Sequence, residues 1–239
     1  MSDDTFKAAT WNVFYGTDPE ELRRILRRLR KDGVTVFLMQ EVSNPKIRAM
    51  LREEGLRIAY APSQYVVAYD PDVWTAVSDS KSERLSQTGY YRKGGDKVIH
   101  SDAVSVILSD RQGRTINALS YHTPPSVQKP SHLRPVRRFI TTRESMTSLR
   151  DIAKNSETRA ILFGGDDNFD ESRTFRSEFK FMLKAFTGLT QVQSPKGTST
   201  HGGGRRIDDF RIKGLKALAG YVLDGGGDHK AHVREFRWK

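Results

Sequence analysis

The sequence predicts a single-domain α/β fold. Short β-type runs alternate with amphipathic helical runs, strands fall near both ends, and no polar or Pro/Gly-rich linker separates them. The 239 residues are 36% hydrophobic and 10% aromatic, enough to pack one large domain over 1–239.

Ala8 to Phe14 reads as the opening strand. Asp18, Pro19 and Glu21 then mark a helix start: a cap, a proline in the first turn and a carboxylate three residues after the cap. Leu22, Ile25, Leu26 and Leu29 follow at helical spacing, and Gly33 is the stop. Val34 to Met39 is a near-continuous apolar strand running into Gln40 and Glu41, and Pro45 to Glu54 is a second helix. Tyr65 to Tyr69, Ala103 to Leu108 and Thr115 to Tyr121 read as strands, the last two joined by a turn at Asp110 to Gly113. Helical spacing returns over His132 to Ala153 at Val136, Phe139, Ile140, Leu149 and Ile152. Ala160 to Phe163 is a short buried strand opening onto Gly164-Gly165-Asp166. Thr174 to Phe186 reads as a helix and Val233 to Trp238 as the last strand.

Lys and Arg number 40 against 29 Asp and Glu, a net charge of +11, which favours a polyanionic partner and nucleic acid above all. With no cysteine, a disulfide framework, a thiol nucleophile and a sulfur-ligated zinc site are excluded. Apolar runs such as Val36 to Met39 and Ala217 to Leu223 fall well short of the ~20 residues a membrane helix needs. Asp3 and Asp4 stand where a secretory signal would be basic and then apolar. A cytoplasmic monomer with no membrane partner is expected.

Polar residues cluster where strands end. The first strand carries Asn12 and the second ends at Glu41; the Thr115 strand ends at His122, and the Ala160 strand runs into Asp166, Asp167 and Asn168. Asp208, Asp209, Asp228 and His229 precede the final strand. Strand ends are rigid, so such groups can converge on one rim of a sheet. Carboxylates and an amide without thiolate form a hard donor set suited to Mg²⁺ or Mn²⁺.

Six short motifs occur in order. They are Thr10-Trp11-Asn12-Val13, Met39-Gln40-Glu41-Val42, Tyr121-His122, Gly165-Asp166-Asp167-Asn168, Arg206-Ile207-Asp208-Asp209-Phe210 and Gly227-Asp228-His229. Together they resemble the TWN, QE, phosphate-contacting histidine, GDxN, RIDYI and SDH signatures of the endonuclease/exonuclease/phosphatase superfamily, the DNase I-like and exonuclease III-like proteins. The resemblance implies a four-layer αββα sandwich with two mixed β-sheets, and metal-dependent hydrolysis of a phosphate ester. It implies that Glu41 holds the metal with Asn12 nearby and Asp228 as a second metal-side carboxylate. Asp166 and Asn168 would orient water or phosphate, with Asp166 the candidate base. His229 would contact the scissile phosphate, Asp208 would fix its tautomer, and His122 would donate to the phosphate or leaving oxygen.

The pattern is not followed everywhere. Asp209 replaces an aromatic residue, Asp167 adds a carboxylate inside GDxN, and Gly227 replaces serine. No catalytic tyrosine is singled out among Tyr60, Tyr65, Tyr69, Tyr90 and Tyr91, and which histidine is the acid stays open. Asp167 is expected to cap a turn or face solvent, Asp209 to be structural or solvated, and His232 to lie on the surface. His100, His132 and His201 carry no motif and are expected to be bystanders. Arg205 and Arg206, beside Asp208, and Arg138, after the His122 loop, are candidate phosphate contacts. Arg23, Arg24, Arg27, Arg28, Arg30 and Lys31 form the polar side of the first helix, either a solvated face or a phosphate-tracking surface. The leading expectation is a nuclease on DNA or RNA. The alternative is a phosphodiesterase or phosphatase acting on a phospholipid, inositol phosphate or small phosphoester.

Overall fold

The computed structural model describes residues 4–13, 16–60, 64–91, 98–125, 135–168, 188–202 and 204–239. The elements run β1 (Thr5–Asn12), α1 (Pro19–Lys31), β2 (Val34–Gln40), α2 (Pro45–Glu53), β3 (Arg57–Tyr60), β4 (Val66–Tyr69), β5 (Trp74–Ala76) and β6 (Lys81–Arg84). They continue with β7 (Tyr90–Tyr91), β8 (Val98–Ile99), β9 (Asp102–Asp110), β10 (Thr115–His122), α3 (Pro135–Asn155) and β11 (Ala160–Asp166). The last are β12 (Thr190–Val192), β13 (Asp208–Lys213), β14 (Leu215–Asp224) and β15 (Lys230–Trp238). The expected helix at Thr174 to Phe186, along with His132, lies outside the described residues.

Two mixed sheets form the centre. The first has the order β14-β15-β1-β2-β4-β3, with β1 and β2 parallel. The second has the order β12-β13-β11-β10-β9-β5, with β10 and β11 parallel and β6 also pairing β9. The central strands β1, β2, β10 and β11 alternate between two apolar environments, as a period of two requires. Phe6 and Ala8 of β1, Val36 and Leu38 of β2, Ala118 of β10, Leu162 of β11 and Phe210 of β13 share one core between the sheets. Trp11, Phe37 and Met39 point the other way, onto Leu22, Ile25, Leu26 and Leu29 of α1 and Ile47 of α2. Leu119, Ile161 and Phe163 pack on Met146 and Leu149 of α3. These cores separate four layers, so the expected αββα sandwich is the observed one.

Helix α1 begins as its sequence dictates. Asp18 caps it by accepting from the Glu20 amide, Pro19 supplies a preset φ, and the chain leaves through Gly33 at φ 84°. Its four buried aliphatic side chains each contribute about 1.5–3 kcal/mol of apolar burial. Cutting Leu26 back to alanine would open a cavity costing about 2–5 kcal/mol.

The core between the sheets changes character toward one rim. On the inward-facing side, Phe6, Ala8 and then Thr10 and Asn12 follow one another along β1. Val36 and Leu38 lead to Gln40 along β2; Ala118 leads to Ser120 and His122 along β10; Leu162 leads to Gly164 and Asp166 along β11. A Cβ on Gly164 would lie 2.6 Å from Leu38 Cδ1 and 2.9 Å from Thr10 Cβ. Glycine there lets the sheets close on each other next to the polar rim.

Candidate active site

Register alone assembles half of the polar rim. His122 pairs with Asp166 across β10 and β11, and Asp166 pairs with Asp208 across β11 and β13, so the three form one row. The facing sheet supplies Asn12 from the end of β1, Glu41 just past β2 and His229 just before β15. Glu41 at φ 61° and Asn168 at φ 53° are the left-handed non-glycine residues among the described ones. Such backbone costs about 1 kcal/mol or more, and surrounding contacts must impose it.

The side chains converge. Asn12 Nδ2 donates to Glu41 Oε1 and to Asp166 Oδ2, each at 3.2 Å, so one neutral amide bridges two carboxylates from different sheets. His122 Nε2 lies 3.3 Å from Asp166 Oδ2 and 2.6 Å from Asn168 Nδ2, and His122 Nδ1 lies 4.0 Å from Glu41 Oε1. Asn168 also donates to the Thr123 carbonyl, while its backbone N–H donates to Asp166 Oδ1 at 2.7 Å. His229 Nδ1 sits 2.9 Å from Asp208 Oδ2, and its Nε2 is 3.6 Å from Asp166 Oδ2. Thr200 Oγ1 accepts from the Ile207 and Asp208 amides, fixing the start of β13.

Charge follows this geometry. Burial works to raise the Asp166 carboxyl, yet the flanking His122 and His229 rings and the Asn168 N–H hold it well below the usual range. Burial opposes a charge on His229, but Asp208 and Asp166 push its pKa up to about 10. Burial raises Asp208 to about 6 against the pull of His229. At neutral pH the pair is therefore an imidazolium beside a carboxylate. His122 is also raised, burial being outweighed by Asp166 and Glu41.

Oxygen donors outnumber imidazoles in the cluster, which fits a hard divalent cation such as Mg²⁺ or Mn²⁺. Asp166, Asp208 and His229 offer ligand atoms within 4.8 Å of one another, as do His201, Asp228 and His229. Asn12, Glu41, His122, Asp166, Asn168, Asp208 and His229 thus come together. The half-exposed Asp228 carboxylate faces His201 Nε2 at 3.6 Å. Among the arginines, Arg205 reaches His201 at 3.3 Å, whereas Arg206 turns to Gln193 Oε1 and Arg138 to the Pro125 carbonyl.

Three sequence expectations need correction. His201 is no bystander: its backbone bridges His229, and the two rings meet edge-on at 4.9 Å. A lone histidine ahead of a glycine loop carried no local signal of this. His232 is fully buried rather than on the surface, because its place on β15 opposite Thr10 turns it into the space between the sheets. Asp167 neither caps a turn nor faces solvent; it is buried against Arg211 and Tyr121. Asp209 is structural, buried and accepting from Gln191 at 2.7 Å. On α1, Arg24 pairs with Glu21, Arg23 with Glu53 and Glu54, and Arg27 with Glu54, so much of that face is self-neutralised.

Solved structures share this architecture along nearly the whole chain. The catalytic domain of human Nocturnin, with bound sulfate, aligns at a TM-score of 0.70 and 14% identity over 98% of this chain and 95% of its own. A TDP2 from D. rerio complexed with single-strand DNA product aligns at 0.71 and 9% identity over 98% and 100%. The fold is that of the endonuclease/exonuclease/phosphatase superfamily. A mannosyl-6-phosphatase from Bacteroides thetaiotaomicron shares this superfamily fold at 0.70 and 13% identity over 98% and 100%. No family model and no curated protein matches the chain. No helix among the described residues is long and apolar enough to cross a membrane.

Proposed function

We propose that this chain is a Mg²⁺- or Mn²⁺-dependent phosphodiester hydrolase, a nuclease cleaving DNA or RNA by in-line attack of water. The observation that carries the reading is the convergence of Asn12, Glu41, His122, Asp166, Asn168, Asp208 and His229 at one rim. Glu41 and Asn12 would hold the cation. When bound, it supplies Lewis-acid neutralisation of the phosphate oxygens. Asp166, held ionised, accepts a proton as the water oxygen bonds to phosphorus. Asn168 keeps Asp166 oriented through its backbone N–H and steadies the His122 ring. His229, held positive by Asp208, stabilises the charge growing on the phosphate. His122 gives its proton to the leaving oxygen as the phosphorus–oxygen bond breaks.

The net charge of +11 and the DNA product held by the D. rerio protein favour nucleic acid. The likeness to a mannosyl-6-phosphatase supports the second reading, a small phosphoester, to the same degree by fold. Incubation with plasmid DNA, RNA and bis(p-nitrophenyl) phosphate, with Mg²⁺ and then EDTA, separates the two. The nuclease reading expects metal-dependent cleavage of a polymer that vanishes in Asp166→Ala and His229→Ala. Turnover confined to the small ester selects the second reading. Full activity in Asp166→Ala rejects the site.

A further inference from the structure

On the far side of the second sheet from the reacting groups lies a polar cluster that the chemistry above does not use. Arg211 Nη2 sits 2.6 Å from Asp167 Oδ2, and the Tyr121 hydroxyl donates to Asp167 Oδ1 at 2.7 Å. All three side chains are buried, with Asp167 and Tyr121 at 0% exposure and Arg211 at 1%. The cluster accounts for a glycine: a Cβ on Gly165 would lie 2.5 Å from the Tyr121 carbonyl and 2.7 Å from its ring. Only a bare backbone there lets the phenol lie across β11 and reach Asp167.

Two members adjoin a residue of the site in sequence, and the third shares a strand with one. Tyr121 precedes His122 on β10, Asp167 follows Asp166 at the end of β11, and Arg211 lies on β13 with Asp208. Alternation puts one set on the helix-covered side and the other at the rim. The place matters because ladder pairing of β11 ends at Asp166. Past that point the chain is held by the Asp167 N–H donating to the Ile207 carbonyl and by Thr123 Oγ1 donating to the Asp167 carbonyl. The next residue, Asn168, is in the left-handed conformation that points its amide at His122. Strained backbone of this kind persists only where its surroundings impose it.

We infer that Tyr121, Asp167 and Arg211 form a buried brace that positions Asp166, Asn168 and His122, making them positioning residues of the reaction. The carboxylate that departs from the GDxN pattern then has a purpose: with two partners from neighbouring strands, it locks the exit of β11. Arg211 is suited to this because its rigid fork fixes direction as well as charge. The inference rests on the hydrolase reading for its kinetic consequence alone; the brace itself is geometric.

The test compares Tyr121→Phe, Asp167→Asn, Arg211→Lys and Arg211→Met with a remote destabilised control, Leu29→Ala in α1. Rates are measured with Mg²⁺ on whichever phosphoester the wild type cleaves, well below every unfolding midpoint. Tyr121→Phe, which removes only a hydroxyl, is expected to lower kcat about tenfold, and Asp167→Asn by about a hundredfold, with KM within about twofold. Arg211→Lys should retain more kcat than Arg211→Met, and Leu29→Ala should keep wild-type kcat despite its lost stability. Imidazole NMR gives a readout independent of turnover, since the chain has 6 histidines. Tyr121→Phe should move the His122 ring resonances and leave those of His100 in place. Wild-type kcat and unmoved His122 resonances in both Tyr121→Phe and Asp167→Asn would overturn the brace. A kcat loss in Leu29→Ala equal to theirs would do the same. If the wild type turns over no phosphoester, the hydrolase reading fails and the NMR comparison alone decides the brace.

Discussion

Replacing His232 with asparagine should remove an acid-sensitive element from between the sheets. In the wild type the ring is at 0% exposure, Nδ1 donates to the Asp208 carbonyl at 3.0 Å, and Phe210 meets the ring edge-on at 5.0 Å. Nε2 has no protein partner among the described residues. Burial, helped by Arg234 and Arg206 and opposed by the Asp208 carbonyl, depresses the imidazole pKa to about 3. Above about pH 6.5 the ring is neutral folded or unfolded and contributes nothing to the pH dependence. Below it the unfolded chain binds a proton that the folded chain refuses, so stability falls by ~1.4 kcal/mol per pH unit. The loss reaches roughly 3 kcal/mol at pH 4.5, a large share of the 5–15 kcal/mol typical of a domain. Asparagine keeps a donor near the Nδ1 position and cannot titrate. Guanidinium unfolding followed by tryptophan fluorescence at pH 7.5 and 4.5 should show the wild type losing roughly 3 kcal/mol more than His232→Asn. Equal losses within about 1 kcal/mol would refute the reasoning.

Other consequences concern the site and its surface. Asp166→Asn should reduce kcat about 10²- to 10⁴-fold on the cleaved phosphodiester with Mg²⁺; a loss under about tenfold rejects Asp166 as base. In Asp208→Asn, His229 loses the largest influence holding its pKa near 10. Because the charged ring exists below that pKa, the alkaline limb of the pH–rate profile should move down by about 1–3 pH units, and an unmoved limb contradicts the pairing. Arg27 is already neutralised by Glu54 at 2.7 Å, so Arg27→Ala should leave the salt dependence of nucleic-acid binding unchanged. Arg205→Ala, beside His201, should lower the slope of log K against log salt by about one in filter-binding titrations.

Much of the chain was legible from local pattern. The Asp18-Pro19 start and the apolar spacing through Leu29 specify α1 whatever surrounds it, because capping and period are settled within a few residues. The strand ends at Glu41, His122 and Asp166 were likewise readable, and their order along the chain pointed to one fold. Strand limits shifted slightly: β1 spans Thr5–Asn12, with Phe14 outside the described residues, and β11 extends through Asp166.

What the sequence by itself determined was which residues can be strand, helix or rim, since backbone preference and apolar period are local properties. The tertiary structure decided which polar groups meet. His201 reaches His229 by a bridge between segments 28 positions apart. Asp167 finds Arg211 because β13 pairs β11, and His232 is buried because β15 lies against β1. Those partners follow from strand order and register, which are set by the packing of both sheets at once. A single-residue slip would turn each of these side chains to the opposite face, and nothing in its own neighbourhood along the chain records the choice.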